Sequence, residues 1–322
     1  MALAIGVDIG GTKVAAGVVE SDGTILEVLR APTPDTEAPA VAHVVVSLVQ
    51  QLQAAHPTVQ TVGIGAAGWI DRARSLVYFA PNVPWRDEPL RANLAARIDL
   101  PIVVENDGNA TAWAEHRFGA GRGSLDLICV TIGTGIGGGM VAGGALYRGA
   151  FGIAGEFGHM TLVPGGHRCG CGNRGCWEQY CSGKALVREA RDIAATDPVR
   201  GGRLLELAGG LVDAIDGPMV TAAASEGDAA AVEAFAAVGE WLGRGLANVA
   251  AALDPGRFVI GGGVSDAGEL LLGPARSAYR RNLPGRGHRP EATLVSAVLG
   301  PEAGMVGAAD LSRLPRAQPV EL

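Results

Sequence analysis

The sequence predicts a mixed α/β protein of two domains, and three observations carry that expectation. The chain has 322 residues, more than a single core usually serves. An apolar strand, a Gly/Thr-rich turn and a returning strand open the chain as VDIGGTKVAAGVV from Val7, and the pattern recurs as VTIGTGIGGGMV from Val130. Stretches of helical periodicity alternate with short apolar runs that end in polar or Gly-rich turns, which is the rhythm of strands and helices packed in layers. Hydrophobic residues make up 48% and aromatic ones only 5%, so the cores are built from Ala, Val, Leu and Ile. A net charge of -7 without a long basic run argues against a nucleic-acid partner. No apolar stretch reaches the length of a membrane span, and no signal peptide is visible. Five cysteines in such a chain read as a cytoplasmic metal or thiol inventory, not as a disulfide framework.

Taken in order, residues 3–9 form a strand with one acid near its end, 14–20 return as a second strand, and 24–30 form a third, giving an antiparallel meander. Residues 38–55 are a helix that presents Val41, Val44, Val45, Leu48, Val49 and Leu52 on one face. A strand at 59–65 runs into GAAGWID, 88–99 reads as a helix, 101–105 as a buried strand, and 109–118 as a helix. After a linker at 119–124 comes the second copy of the strand–turn–strand unit, consistent with an internal duplication. Helices follow at 183–195, 203–215 and 228–252, a strand at 257–263, a helix at 266–282, a strand at 292–296 and a last helix at 302–312. The tail from Pro315 has no periodicity and reads as disordered. Cys129, Trp85 and Trp113 read as packing, Cys181 as packing or the start of a helix, and His43, His56, His116 and His288 as surface or helix-face residues without acid or thiol partners.

The densest chemistry lies in residues 155–178, GEFGHMTLVPGGHRCGCGNRGCWE, with Glu156, Glu178, His159, His167, Cys169, Cys171 and Cys176. Three thiolates that close in sequence, completed by one histidine, make a tetrahedral Cys3His set of the structural-zinc type. A Gly-rich loop with little core of its own is ordered by such an ion. The spacing does not choose between His159 and His167. The turn Asp8-Ile9-Gly10-Gly11-Thr12-Lys13 offers open backbone N–H groups, a hydroxyl and an amine to a phosphate chain, and Asp8 suits a hydrated Mg²⁺. The turn around Thr134 and Gly135 is its second copy. That turn also fits G-x-G-x-x-G, but no amphipathic helix follows it, so a Rossmann site is rejected. Gly183-Lys184 is rejected as a P-loop because Ala185 stands where Ser or Thr is required. Asp107, at the end of a buried strand, suits a general base, or alternatively caps the following helix. Gly262 and Gly263 let a nucleotide base lie against bare backbone, or make a simple turn; the stretch 65–68 carries the same two readings.

Together DIGGTK, END, TIGTGIGGG, GEFGHM and CGCGNRGCWE, in this order over nearly the whole chain, resemble the bacterial glucokinases of the ROK family (repressors, open reading frames, sugar kinases). The resemblance implies an actin-like, ribonuclease-H-like pair of α/β domains with a nucleotide cleft, residues 1–118 plus 303–322 forming the smaller and 119–302 the larger. It implies ATP-dependent phosphorylation of D-glucose to glucose 6-phosphate, with Asp107 as general base. Asn106, Asp107, Glu156, His159 and Glu178 would bind sugar hydroxyls, with Gly68 closing over the sugar. His159, Cys169, Cys171 and Cys176 would hold structural Zn²⁺. Asp8, Gly10, Gly11, Thr12, Lys13, Thr134, Gly135, Gly262 and Gly263 would serve ATP and Mg²⁺. A homo-oligomer, dimer or dimer of dimers, is implied. Family repressors carry an extra N-terminal helix-turn-helix, which disfavours that branch. The alternatives are a kinase for mannose or an N-acetyl-hexosamine, and a non-catalytic sugar sensor.

Overall fold

The computed structural model describes residues 3–34, 38–80, 83 and 85–314; the tail expected to be disordered lies outside the described residues. By its contacts the chain divides into two compact units. The first comprises Met1–Cys129, Gly138–Gly155 and Ala297–Leu322, the second Val130–Gly137 and Glu156–Ser296. Relative to the expected boundaries, residues 119–129 and 138–155 also count with the first unit, and the chain returns to it at Ala297.

The first unit opens with the meander β1 (Leu3–Ile9), β2 (Lys13–Val19) and β3 (Ile25–Pro32), followed by helix α1 (Ala38–Ala55) and strand β4 (Val59–Ala66). Three short strands, β5 (Trp69–Ile70), β6 (Val77–Phe79) and β7 (Arg86–Glu88), make a small antiparallel sheet that the sequence reading missed. The helix expected over 88–99 is only α2 (Leu90–Ala95), because Arg86–Glu88 pair as a strand and the chain leaves α2 through a turn at 96–97. Strand β8 (Ile102–Asn106) then leads directly into helix α3 (Asp107–Arg117). The main sheet has the order β3-β2-β1-β4-β8, with β4 parallel to both β1 and β8. Val41, Val45, Val49 and Leu52 of α1 are fully buried on one of its faces, as their spacing requires, and Val44 is partly buried.

The second repeat supplies β9 (Leu127–Ile132), β10 (Ile136–Ala142) and β11 (Ala145–Tyr147). Beyond residues 148–182 come α4 (Gly183–Thr196), α5 (Gly202–Leu207), α6 (Gly217–Ser225), α7 (Ala229–Leu253), β12 (Arg257–Gly261), α8 (Glu269–Asn282) and β13 (Thr293–Ser296). Helix α6 was not expected, although Asp216 caps it through the Met219 amide and Pro218 sits in its first turn. The expected helix over 203–215 breaks at Gly209 and Gly210, both at positive φ. The second sheet has the order β11-β10-β9-β12-β13 with β12 and β13 parallel, which repeats the meander-then-parallel plan of the first. The unit boundary passes within β9 and β10.

The last helix, α9 (Ala303–Arg313), lies on the first sheet and on α3. It approaches so closely that a Cβ on Gly6 would stand 2.0 Å from the Met305 carbonyl oxygen, and one on Gly63 1.8 Å from that of Ala308. The buried Asp310 carboxylate fixes the contact: Oδ2 accepts from Trp113 Nε1 at 2.8 Å and Arg117 Nε at 3.1 Å. Trp85, Cys129 and Cys181 are buried as expected. His56 departs from its expected isolation, with Nε2 2.8 Å from Glu27 Oε2.

Candidate active site

In the first unit the polar groups gather where β1, β4 and β8 end. Asn106 is the N-cap of α3: its Oδ1 accepts from the Asn109 amide at 2.9 Å, and its Nδ2 donates to Gly68 O at 3.0 Å and to Asp107 Oδ1 at 3.1 Å. Asp107 is therefore the first helical residue, and the capping alternative belongs to its neighbour. The hydrogen bonds from Gly108 N and Asn106 Nδ2 both fall on Oδ1 of Asp107. Burial raises its pKa above the usual carboxylate range. Asp8, on β1 opposite Ala15 and Gly65, has its pKa raised to about 7, by burial first and then by the charge of Asp107, while Lys13 opposes the shift and Glu302 adds to it. The charge of each carboxyl disfavours ionisation of the other, the kind of pair whose repulsion a hard divalent cation with retained waters would relieve. The adjoining turn leaves Gly11, Thr12 and Lys13 exposed, and it is pinned by Gly10 N to Lys13 O at 3.0 Å and Thr33 Oγ1 to Gly10 O at 2.7 Å.

In the second unit the equivalent turn is held by Gly133 N to Gly135 O at 3.0 Å, with Thr134 exposed at its tip. Gly183 N, at the start of α4, donates to Gly133 O at 2.8 Å. A cavity of about 1230 Å³ opens here, lined among others by Thr134, Lys184, Arg191, Thr221 and Gly263. Two of its cations are already engaged: Arg188 donates to the Gln179 carbonyl, and Arg191 to that of Ile215. Gly262 has a φ of +84, and a Cβ there would stand 2.5 Å from the Ile132 carbonyl oxygen, so the turn after β12 can lie against β9 only as glycine. The cavity walls from α4 and α6 were not legible in the sequence. Gly183-Lys184 is not a P-loop but lies beside the second turn all the same.

The Cys/His segment folds around two short 3₁₀ turns, Phe157–His159 and Trp177–Gln179. The ligand atoms of His159, Cys169, Cys171 and Cys176 all lie within 4.8 Å of one another. Cys171 Sγ and Cys176 Sγ are 3.6 Å apart. That separation is close to the edge of a tetrahedron with Zn–S bonds of about 2.3 Å and far beyond a disulfide bond of about 2.05 Å. The residues thus fit zinc by donor type and spacing. His159 turns Nδ1 toward Cys169 Sγ, 3.7 Å away, and Nε2 toward Glu156 Oε2, also 3.7 Å away. His167 instead packs against Tyr180, with ring centroids 5.2 Å apart and the planes tilted by 42°. Glu178 joins the segment to the second turn: Cys169 Sγ donates to Oε1 at 3.0 Å, and Ile136 N donates to Oε2 at 3.4 Å. The structure therefore gathers Gly68, Asn106, Asp107 and Asp8 in one unit. In the other it gathers Glu156, His159 and Glu178 beside the thiols, and Thr134 and Gly263 at the cavity.

The ROK family model matches residues 4–314. A glucokinase of Streptomyces coelicolor is 51% identical over 98% of this chain and 99% of its own length. The crystal structure of a ROK family glucokinase from Streptomyces griseus, in complex with glucose and AMPPNP, is 52% identical and superposes with a TM-score of 0.89, covering 97% of this chain and 99% of the other. The xylose repressor of Bacillus subtilis is 30% identical over 85% of this chain and 67% of its own length.

Proposed function

The chain belongs to the ROK family and has its actin-like, two-domain α/β fold, and on that footing we propose that it transfers the γ-phosphoryl group of ATP to D-glucose. The observation that carries this reading is full-length identity above one half to glucokinases, one of them solved with glucose and an ATP analogue, in a chain that keeps the whole acid, turn and thiol set.

Asp107 accepts the proton of the sugar's 6-hydroxyl as that oxygen attacks the γ-phosphorus and the bond to the bridging oxygen breaks, releasing ADP and glucose 6-phosphate. Burial lifts the carboxyl above its ordinary basicity, which suits a base that must take a proton only as the alcohol loses it. Asn106 orients the acceptor while fixing Asp107 and the Gly68 carbonyl. Glu156, His159 Nε2 and Glu178 hold the other hydroxyls. His159, Cys169, Cys171 and Cys176 would hold a structural zinc ion, which would fix the imidazole and leave Nε2, on the Glu156 side, for a sugar hydroxyl. The turns at Gly10–Lys13 and Thr134–Gly135 donate backbone N–H groups to the phosphates, and the second-unit cavity takes the nucleoside beside Gly262 and Gly263. Asp8 would hold a hydrated Mg²⁺, which would supply charge neutralisation to the phosphate chain. The reading includes a cytoplasmic homo-oligomer, to be checked by light scattering.

A coupled assay with ATP and Mg²⁺ across glucose, mannose and the N-acetyl-hexosamines tests the proposal. Glucose should have the highest kcat/KM; a higher value for another sugar, or no turnover of any, overturns it.

A further inference from the structure

The residue before the Asn106–Asp107 pair is a carboxylate buried to 1% exposure, and no step of the reaction uses it. Glu105 Oε1 accepts from its neighbour Asn106 N at 2.9 Å and from Asn109 Nδ2 at 3.0 Å. Arg148 Nε also donates to Oε1, at 3.1 Å, and stands 2.8 Å from Oε2; Arg74 Nε lies 3.1 Å from Oε2. The two arginines come from different loops. Arg148 follows β11 and is itself nearly buried, and its other nitrogens donate to the Arg72 carbonyl at 2.9 Å and the Asp71 carbonyl at 3.0 Å. Arg74 belongs to the loop between β5 and β6 and has a φ of 55, a left-handed conformation that costs energy for a residue with a Cβ. That loop is closed by Asp71, whose carboxylate accepts from the amides of Ser75 and Leu76 and from Ser75 Oγ. It continues the chain from Gly68, whose carbonyl receives Asn106 Nδ2.

A buried ion cluster of this kind is weak support for stability as such, since desolvation offsets most of the attraction. What it supplies is direction. One carboxylate touches the backbone of the acceptor-holding residue, the first turn of the helix that carries the base, and both loops beside it. We propose that Glu105 is a positioning residue: with Arg148 and Arg74 it locks the Asn106–Asp107 pair and the 68–76 loop into the one geometry that presents the sugar hydroxyl to the base.

This inference rests on the proposed sugar kinase activity, and its test is read as a ratio to wild type with whichever hexose the wild-type protein turns over. Wild-type turnover itself reports on that activity. Glu105→Gln keeps an acceptor for the Asn106 amide but removes the charge held by the arginines. Arg148→Lys keeps the charge but cannot bond Glu105, Arg72 and Asp71 together. Each should raise the sugar KM and lower kcat by about tenfold or more, since small misplacements of reacting groups cost up to about a hundredfold, while the ATP KM stays within about twofold. The double variant should be no worse than the weaker single one, because both act through one cluster. Sugar KM within twofold of wild type in both singles, or sugar and ATP parameters deteriorating in parallel, or additive losses in the double variant, would overturn the proposal. If Glu105→Gln does not fold, Arg148→Lys and the loop variant Arg74→Met, at a side chain 26% exposed, carry the same comparison with the same thresholds.

Discussion

Asp8 is predicted to trade stability for function, and the trade has a definite sign with pH. Its carboxyl titrates at about 7 in the folded chain against 3.8 ordinarily, because it is buried and faces Asp107. The folded state therefore holds a proton that the unfolded state has released between those two values, so wild-type stability falls as pH rises through that window and levels off above it. Moving a carboxyl from 3.8 to about 7 sets a ceiling of about 4 kcal/mol on the penalty for keeping it charged at pH 8. Solvent relaxation at a half-buried group leaves roughly 2 kcal/mol. Asp8→Asn removes the charge. In metal-free, nucleotide-free buffer it should melt roughly 5 °C above wild type at pH 8, at about 2–4 °C per kcal/mol for a body of this size. Near pH 4, where both chains are neutral at this position, the gap should close. Adding Mg²⁺ and nucleotide should stabilise wild type and not the variant, and turnover should be lost. Thermal melts at steps of half a pH unit read all of this. A melting difference that does not change with pH refutes the reasoning, because the argument attributes the whole gain to removed charge.

Asp107→Asn should lower turnover by about 10²–10⁴ while calorimetry finds glucose affinity little changed, and should abolish the acid limb of the wild-type rate profile, which lies above the ordinary carboxylate range because burial raises this group. Cys171→Ser should lose stoichiometric zinc by elemental analysis and weaken glucose binding about tenfold, since His159 is then no longer held; full zinc content in that variant would remove Cys171 from the ligand set. Glu115→Ala should cost about 3 kcal/mol or more in urea unfolding, because the buried carboxylate accepts from the amides of Ala120, Val298 and Leu299 and all three lose their acceptor.

How far the sequence reached depended on the distance over which each feature is decided. The three thiols were legible because they lie within eight consecutive residues, 169–176, and their geometry is nearly a property of that loop. The fourth ligand was not legible from spacing, because His167 is taken out of contention by a ring thirteen positions away, Tyr180, whose hydroxyl also accepts from the His167 amide. The duplicated strand–turn–strand units were visible, and both sheets follow from them. That Asn106 rather than Asp107 caps α3 turns on side-chain rotation, which periodicity does not report. The Asp216 cap and Pro218 announce α6 by ordinary helix-start chemistry, but the apolar spacing before them runs on through the glycine pair that ends α5 and masks the break. Glu105 stands beside Asn106 and Asp107 at a ligand-facing strand end, but its own role is not legible there, because its partners at positions 74 and 148 share no local pattern with it.

The repeat also locates the chemistry, by subtraction. Both sheets begin with the same meander and end with two parallel strands, so the shared plan supplies a pair of Gly/Thr turns and little else. What differs is what each copy adds. The first copy ends β8 on Glu105 and Asn106 and starts the next helix with Asp107, placing an acid where helix and strand ends leave backbone amides to hold it. The second copy, after β11, inserts residues 148–182, a stretch whose only regular elements are two 3₁₀ turns, which gathers the His159, Cys169, Cys171 and Cys176 side chains and is anchored by Trp177, whose indole donates to the Trp241 carbonyl on α7. A loop of that length without regular structure is uncommon unless it works. In the proposed mechanism phosphate grip therefore belongs to the duplicated scaffold, whereas the base and the sugar-facing groups are asymmetric additions, one per copy. That asymmetry is why substitutions in the turns should impair every acceptor alike, while substitutions at 105–107 or in the zinc segment should change the ranking of sugars.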